Sequence, residues 1–196
     1  MWHARLLYKL KNIGITGMTF QYFKNFLSER CICTRGGKTY SSNKTIDIGI
    51  PQGSVIAPIL FNIIIHDLPK ALSNNSHVAQ YADDIAIWVN TSLRKHTIKT
   101  VVSRLQILYL LEMNKLTAYM KENGFELSRE KTRLMLFNNG ENPKSLPQIE
   151  LDGQLLNYKQ NTEFLGVYIT TKLNWRLHIE NVTNKARKRL NFLKNS

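Results

Sequence analysis

Val78-Ala79-Gln80-Tyr81-Ala82-Asp83-Asp84-Ile85-Ala86-Ile87-Trp88-Val89 is the stretch on which the reading of this chain turns. Two adjacent carboxylates interrupt an apolar, β-prone run that resumes at once on their far side. The pattern predicts a β-hairpin over 79–89 with both Asp residues at its turn. Charge packed this densely among apolar strands costs on the order of several kcal/mol unless something pairs with it. A divalent cation is the natural partner. Mg²⁺ takes carboxylate oxygens together with substrate phosphates, and two ions about 4 Å apart can clamp the attacking and leaving oxygens of a phosphoryl displacement. The pair therefore points to nucleotidyl transfer. Successive strand residues face opposite sides, so the carboxylates are inequivalent ligands unless the turn rotates one of them. On its own, an Asp-Asp turn is more readily a solvated loop tip.

Flanking blocks sharpen the reading. Upstream stands Gly49-Ile50-Pro51-Gln52-Gly53-Ser54-Val55-Ile56-Ala57-Pro58-Ile59-Leu60-Phe61-Asn62. Downstream stand Asn123-Gly124-Phe125-Glu126-Leu127-Ser128-Arg129-Glu130-Lys131-Thr132 and Phe164-Leu165-Gly166-Val167. In this order and spacing the blocks closely resemble the reverse transcriptase domain of non-LTR retrotransposons, in particular the jockey-like elements of the LINE class. The likeness runs over essentially the whole chain. Its most specific part is Pro-Gln-Gly-Ser followed by Tyr-Ala-Asp-Asp and then Lys-Thr.

The resemblance implies RNA-directed DNA polymerisation with Mg²⁺ or Mn²⁺, an RNA template, a DNA primer and deoxynucleoside triphosphates. It gives Asp83 the metal role and Asp84 a supporting one. It places Gln52, Gly53, Tyr81 and Ala82 against template and incoming nucleotide, and Lys131 near the departing pyrophosphate, where a protonated amine could act. Phe164, Leu165 and Gly166 resemble the element that grips the primer end. Ala57 stands where relatives commonly have Ser, a small-for-small change. One part of the family pattern is not found: an Ala-Phe-Asp segment that carries a further metal-binding Asp shortly before a Val-Trp-His-like stretch. Here Met1-Trp2-His3 and the following Leu-Leu-Tyr-Lys-Leu resemble that stretch already under way. The expectation is a polymerase fragment with impaired activity, or a decayed copy that at most binds nucleic acid. A palm without its first strand would also expose a sheet edge and be only marginally stable.

Composition is compatible with this. The chain has 196 residues, about one domain, with 27 Lys plus Arg against 14 Asp plus Glu and a net charge of +13. Such a balance favours phosphate polyanions through counterion release, although charge alone equally describes a soluble basic surface. Cys31 and Cys33 lack the further Cys or His pairs that a zinc site needs and read as reduced strand residues of an intracellular protein, nuclear or cytoplasmic. The apolar run over 55–65 is broken by Pro58 and Asn62 and falls short of the roughly 18 residues of a membrane span, and no signal peptide is evident.

Periodicity supplies the remaining elements. Leu6, Leu7, Leu10 and Ile13 predict a first helix, and Phe20, Phe23, Phe26 and Leu27 a second. Residues 30–35 and 44–48 read as a basic hairpin around Gly36-Gly37-Lys38, either tracking a nucleic-acid backbone or simply kept soluble by its charge. Ser54 is expected to cap a helix that starts near Val55. A long helix over 96–122 ends at Asn123-Gly124, followed by a strand over 127–137, a polar connector over 141–147, a hairpin at Asp152-Gly153 and a strand at 164–167. The last stretch is a basic amphipathic helix carrying Lys185, Arg187, Lys188 and Arg189, by itself equally a solvated face, but suited to backbone contact by its place after the segment that resembles the primer grip. The reading is an α+β fold: a palm-like antiparallel sheet backed by helices over 1–160, incomplete at its first catalytic strand, with the primer-grip strand and the start of a helical thumb over 161–196.

Overall fold

Leucines at helical spacing set the first core. In the computed structural model, which describes residues 1–90, 98–138, 146, 148–151 and 153–194, helices α1 (His3–Asn12) and α2 (Gly17–Leu27) are followed by short strands β1 (Arg30–Ile32), β2 (Arg35–Gly36), β3 (Thr39–Tyr40) and β4 (Lys44–Ile46). Helices α3 (Ala57–Ile65) and α4 (Leu68–Ala71) lead into β5 (Ser76–Tyr81) and β6 (Asp84–Val89), then the long α5 (Ile98–Glu122). Leu6 and Leu10 of α1, Leu27 of α2, and Leu60, Ile64 and Ile65 of α3 form one buried cluster. Each such side chain contributes roughly 1.5–3 kcal/mol by leaving water. A second cluster joins Leu68 and Leu72 to Leu116, Tyr119 and Met120 of α5, and Val78, Ile85 and Ile87 of the β5–β6 hairpin pack on it.

The end of α5 explains its Gly. Phe125 N–H donates to Met120 carbonyl at 2.8 Å and Gly124 N–H to Lys121 carbonyl at 3.1 Å, the paired bonds of a Schellman cap. Gly124 has φ +72°, and a Cβ there would run into the ring and backbone nitrogen of Trp2. Only glycine meets both demands.

Residues Met1–Trp88 with Leu111–Leu127 make one compact unit, and Val89–Leu110 with Ser128–Ser196 a second. In the second, Val89, Val101 and Leu105 form a small core with Leu108, Tyr109 and Leu136 packed on it. Strands β7 (Glu150–Leu151), β8 (Gln154–Leu155), β9 (Asn161–Phe164) and β10 (Val167–Thr170) precede helix α6 (Arg176–Lys194). Among the described residues no helix is long and apolar enough to cross a membrane.

The mixture of helices with antiparallel strands agrees with the α+β reading, and several details correct it. Instead of one sheet, the described strands form five two-stranded pairs. The run over 127–137 is not a strand: a single parallel bridge joins Leu134 to Tyr158, and turn hydrogen bonds from Lys131 and Thr132 to the Ser128 carbonyl consume its first part. Ser54 does not cap α3 with its side chain. Its carbonyl accepts Ala57 N–H at 3.1 Å, and the helix begins two residues later than expected, with Pro58 in its first turn. The first two residues of the expected long helix, Asp152, and the 141–147 connector apart from Leu146 lie outside the described residues.

A polar contact ties the first unit together. Lys9 on α1 is 3% exposed, and its Nζ donates to the Ile64 carbonyl and to Asp67 Oδ1, each at 2.5 Å. Tyr119 Oη on α5 donates to the same Asp67 oxygen at 2.5 Å and lies 3.1 Å from Lys9 Nζ. Burial alone would raise the Asp67 carboxyl, but hydrogen bonds from Lys9 and Tyr119 hold it below the usual carboxylate range. Glu112 behaves alike: burial pushes up, whereas Ser73, Ser76 and Lys115 pull it down further. Depressed carboxyl pKa values stabilise the fold above the ordinary carboxylate range, and the contribution is lost as pH falls through the folded values. Burial lowers Lys9, an effect confined to alkaline pH. Asp67→Asn is therefore expected to cost about 3 kcal/mol at neutral pH, by leaving Lys9 buried without its counter-charge, and to flatten the acid limb of stability. Urea unfolding across pH checks both.

Candidate functional site

The β5–β6 hairpin is held along its length. At its start, Ser73 N–H and Ser76 Oγ donate to Glu112 Oε2 of α5 at 3.1 and 2.9 Å. Farther along, Gln80 Nε2 donates to the Ile65 carbonyl at the end of α3 at 3.2 Å. Val78, Ile85 and Ile87 face the core, so alternation turns His77, Ala79, Tyr81, Asp84, Ala86 and Trp88 the other way. His77 and Trp88 stack there with centroids 5.4 Å apart.

The turn itself is Ala82-Asp83, and Asp84 opens β6. Ala82 takes φ +50°, a left-handed conformation that costs a residue with a Cβ roughly 1–2 kcal/mol. Asp83, Asp84 and Tyr81 are all exposed. The two carboxylates offer hard oxygen donors of the kind Mg²⁺ or Mn²⁺ takes, so the residues fit such an ion as a partial ligand set. Among the described residues no group of three or more His, Cys, Asp or Glu side chains gathers into a metal cluster.

Gln52 and Gly53 lie in the same unit as this hairpin, in a tight turn closed by Ser54 N–H donating to the Pro51 carbonyl at 3.3 Å. Gly53 has φ +84° with nothing near its missing Cβ, as position three of a type II turn requires. The approach to this turn is fixed by the start of the chain. Gly49 N–H donates to the Met1 carbonyl at 3.0 Å, while His3 Nε2 and Arg30 Nη1 donate to the Gly49 carbonyl at 2.6 and 3.3 Å. Sequence reasoning missed this clasp, which has no signature in residue type or spacing.

The other expected site residues belong to the second unit. Lys131 is exposed in the turn after Ser128. Phe164-Leu165-Gly166-Val167 corrects the expectation of a strand: Leu165 and Gly166, with φ +51° and +79°, are the two-residue turn between β9 and β10, and Phe164 pairs with Val167 across it. Left-handed values at both central residues are the type I′ geometry that suits hairpin twist. Helix α6 packs on this hairpin, with Tyr168 N–H donating to His178 Nδ1 at 3.4 Å. Lys185 Nζ lies 4.0 Å from Glu163 Oε1 and 5.8 Å from the centre of the Tyr168 ring. Arg187, Lys188 and Arg189 are exposed, as are Ile179, Val182, Leu190 and Leu193 of the expected apolar stripe.

The model of the reverse transcriptase (RNA-dependent DNA polymerase) family matches residues 1–169. The chain is similar to the RNA-directed DNA polymerase from mobile element jockey of Drosophila funebris, 29% identical over 97% of this chain and 20% of that protein. It is also similar to the probable RNA-directed DNA polymerase from transposon BS of Drosophila melanogaster, 25% identical over 99% of the chain and 21% of the relative. The probable polymerase from transposon X-element of the same fly is 31% identical over 44% of the chain and 10% of its own length. The chain thus spans about a fifth of the first two of these relatives. No solved structure matches it.

Glycine at position 82 relieves the left-handed strain at the hairpin tip. Ala82→Gly is expected to raise the unfolding free energy by about 0.5–1 kcal/mol, the relief outweighing the entropy glycine loses on folding. Urea denaturation measures it, and a loss of stability would mean that the turn is not strained at this residue.

Proposed function

Because this chain belongs to the reverse transcriptase (RNA-dependent DNA polymerase) family, we propose that the Asp83–Asp84 turn is its part of the nucleotidyl-transfer centre of a non-LTR retrotransposon polymerase. The observation that carries this is the placing of the two carboxylates: exposed at the tip of a hairpin whose other face is locked to the core. The reaction is attack of a primer 3′-hydroxyl on the α-phosphate of a deoxynucleoside triphosphate opposite an RNA template, with pyrophosphate leaving. Asp83 and Asp84 would hold Mg²⁺ or Mn²⁺, Asp83 as the principal ligand, and the ion supplies charge neutralisation at the phosphoryl oxygens. Gln52, Gly53, Tyr81 and Ala82 form the surface for the template base and incoming nucleotide. Lys131 donates a proton or hydrogen bond to the departing pyrophosphate. Phe164, Leu165 and Gly166 hold the primer end, and Lys185, Arg187, Lys188 and Arg189 its backbone. Residues 1–160 serve as palm and 161–196 as primer grip and thumb.

Two neighbouring carboxylates are a sparse set for a pair of ions, so the 196-residue chain alone polymerises weakly. The competing reading, a non-catalytic fragment that at most binds template–primer, rests on the same sparseness. Primer extension on an RNA template with Mg²⁺ or Mn²⁺ separates them, using this chain, its Asp83→Asn variant, and a form carrying an added Asp-bearing segment at its start. The proposal predicts Asp83-dependent extension, stronger by at least about 10–100-fold in the supplemented form, since loss of even an outer-shell partner of a metal ligand costs that much. Silence from every form would favour the non-catalytic reading, and strong extension by the unsupplemented chain would refute its impairment.

A further inference from the structure

The basic ribbon between α2 and α3 contributes nothing to either buried cluster of the first unit. Residues 31–45 are exposed without exception. A two-stranded hairpin with no buried face is marginally stable in water, so packing does not account for it. Arg30 pairs with Ile46, Cys31 with Thr45 and Ile32 with Lys44. Farther out, Thr34 and Ser41 exchange hydrogen bonds of 2.9 Å, and Arg35 pairs with Tyr40. Cys33 therefore opposes both Ser42 and Asn43, a β-bulge that tightens the twist of the ribbon.

Its chemistry has one sign. Between Glu29 and Asp47 the chain carries Arg30, Arg35, Lys38 and Lys44 and no acid. Arg30 is committed to the Gly49 carbonyl. Arg35 is propped by the Tyr40 ring, its guanidinium 5.6 Å from the ring centre, and by the Gly37 carbonyl at 3.0 Å. Lys38 stands at the tip and Lys44 nearer the base, so cations are spread along roughly 20 Å of ribbon, with hydroxyls of Thr39, Ser42 and Thr45 between them. The strand leaving the ribbon bridges Trp2 at Ile48 and runs straight into the Pro51-Gln52-Gly53-Ser54 turn.

We propose that this ribbon grips the phosphodiester backbone of the template–primer duplex through Arg35, Lys38 and Lys44, as a binding surface additional to α6. The proposal rests on the nucleic-acid reading of the preceding section, and charge complementarity selects the partner: a twisted, wholly cationic ribbon fits a regular array of phosphates.

The test is binding of the 196-residue chain to a short fluorescein-labelled RNA–DNA duplex in EDTA, by anisotropy over a series of KCl concentrations. Each phosphate contact adds roughly 0.9 to the slope of log affinity against log salt. The triple variant Arg35→Gln, Lys38→Gln, Lys44→Gln is expected to lower that slope by about 2–3, while the charge-preserving Arg35→Lys, Lys38→Arg, Lys44→Arg keeps it. Because no buried residue is touched, both variants should match the parent in thermal unfolding. Parent binding with an unchanged slope in the Gln variant would overturn the ribbon proposal alone and leave a ribbon that serves solubility. Absence of salt-dependent binding by the parent chain would overturn the nucleic-acid reading and this proposal with it.

Discussion

The hydrogen-bonded triad of Lys9, Asp67 and Tyr119 is the constraint on which the first unit depends. It joins three elements through polar groups: α1, the His66-Asp67 link between α3 and α4, and α5; the more exposed Arg5–Glu122 pair adds a second tie between α1 and α5. Burying a Lys costs several kcal/mol before its partners repay it, so the triad is weak as a source of net stability and strong as a source of register. An α5 slid by a turn would leave Lys9 and Asp67 without Tyr119. Since α5 also carries Glu112, which holds the start of β5, and α3 offers the Ile65 carbonyl to Gln80, the hairpin inherits its position from the helices that the triad aligns.

A second theme is strain placed where the chain must turn sharply. Ala82 and Leu165 both adopt left-handed conformations at two-residue hairpin turns, and both belong to blocks that resemble the catalytic and primer-gripping elements of the family. In each case paired strands over-determine the turn: β5 with β6, and the four-residue register from Asn161 to Thr170 in β9 and β10. Conformations of this cost persist only where surrounding structure enforces them. The benefit at Ala82 is geometric. The tight turn sets Asp83 outside both strands, while Asp84 opens β6.

Much of this was legible in the residues. Leu6 and Leu10, Phe20, Phe23, Phe26 and Leu27, and the leucines of α5 announce helices because a period of 3.6 survives in the sequence whatever packs against it. The carboxylate hairpin was legible because alternation brackets it on both sides. What escaped was decided by tertiary partners. Val167 and Phe164 look like one continuous apolar strand, yet they face each other across a turn, since the Leu165-Gly166 pair supplies the twist that β9 and β10 need. Residues 127–137 have strand-like side chains, but Ser128 draws the backbone amides of Lys131 and Thr132 into a turn. Lys9 carried a signal that was available: it lies three residues after Leu6 and beside Leu10 on the buried stripe, where a cation needs a counter-charge. Which acid would answer it, out of 14, is not written in local spacing.

The central proposal is that Asp83 and Asp84 receive the divalent ion. Paramagnetic broadening of backbone amide resonances by substoichiometric Mn²⁺ tests it without requiring catalysis. The account predicts selective loss of the signals from Tyr81 to Ile85 in the parent chain, reversed by excess Mg²⁺ and abolished in Asp83→Asn. Broadening centred on other acids, or unaffected by Asp83→Asn, would contradict it.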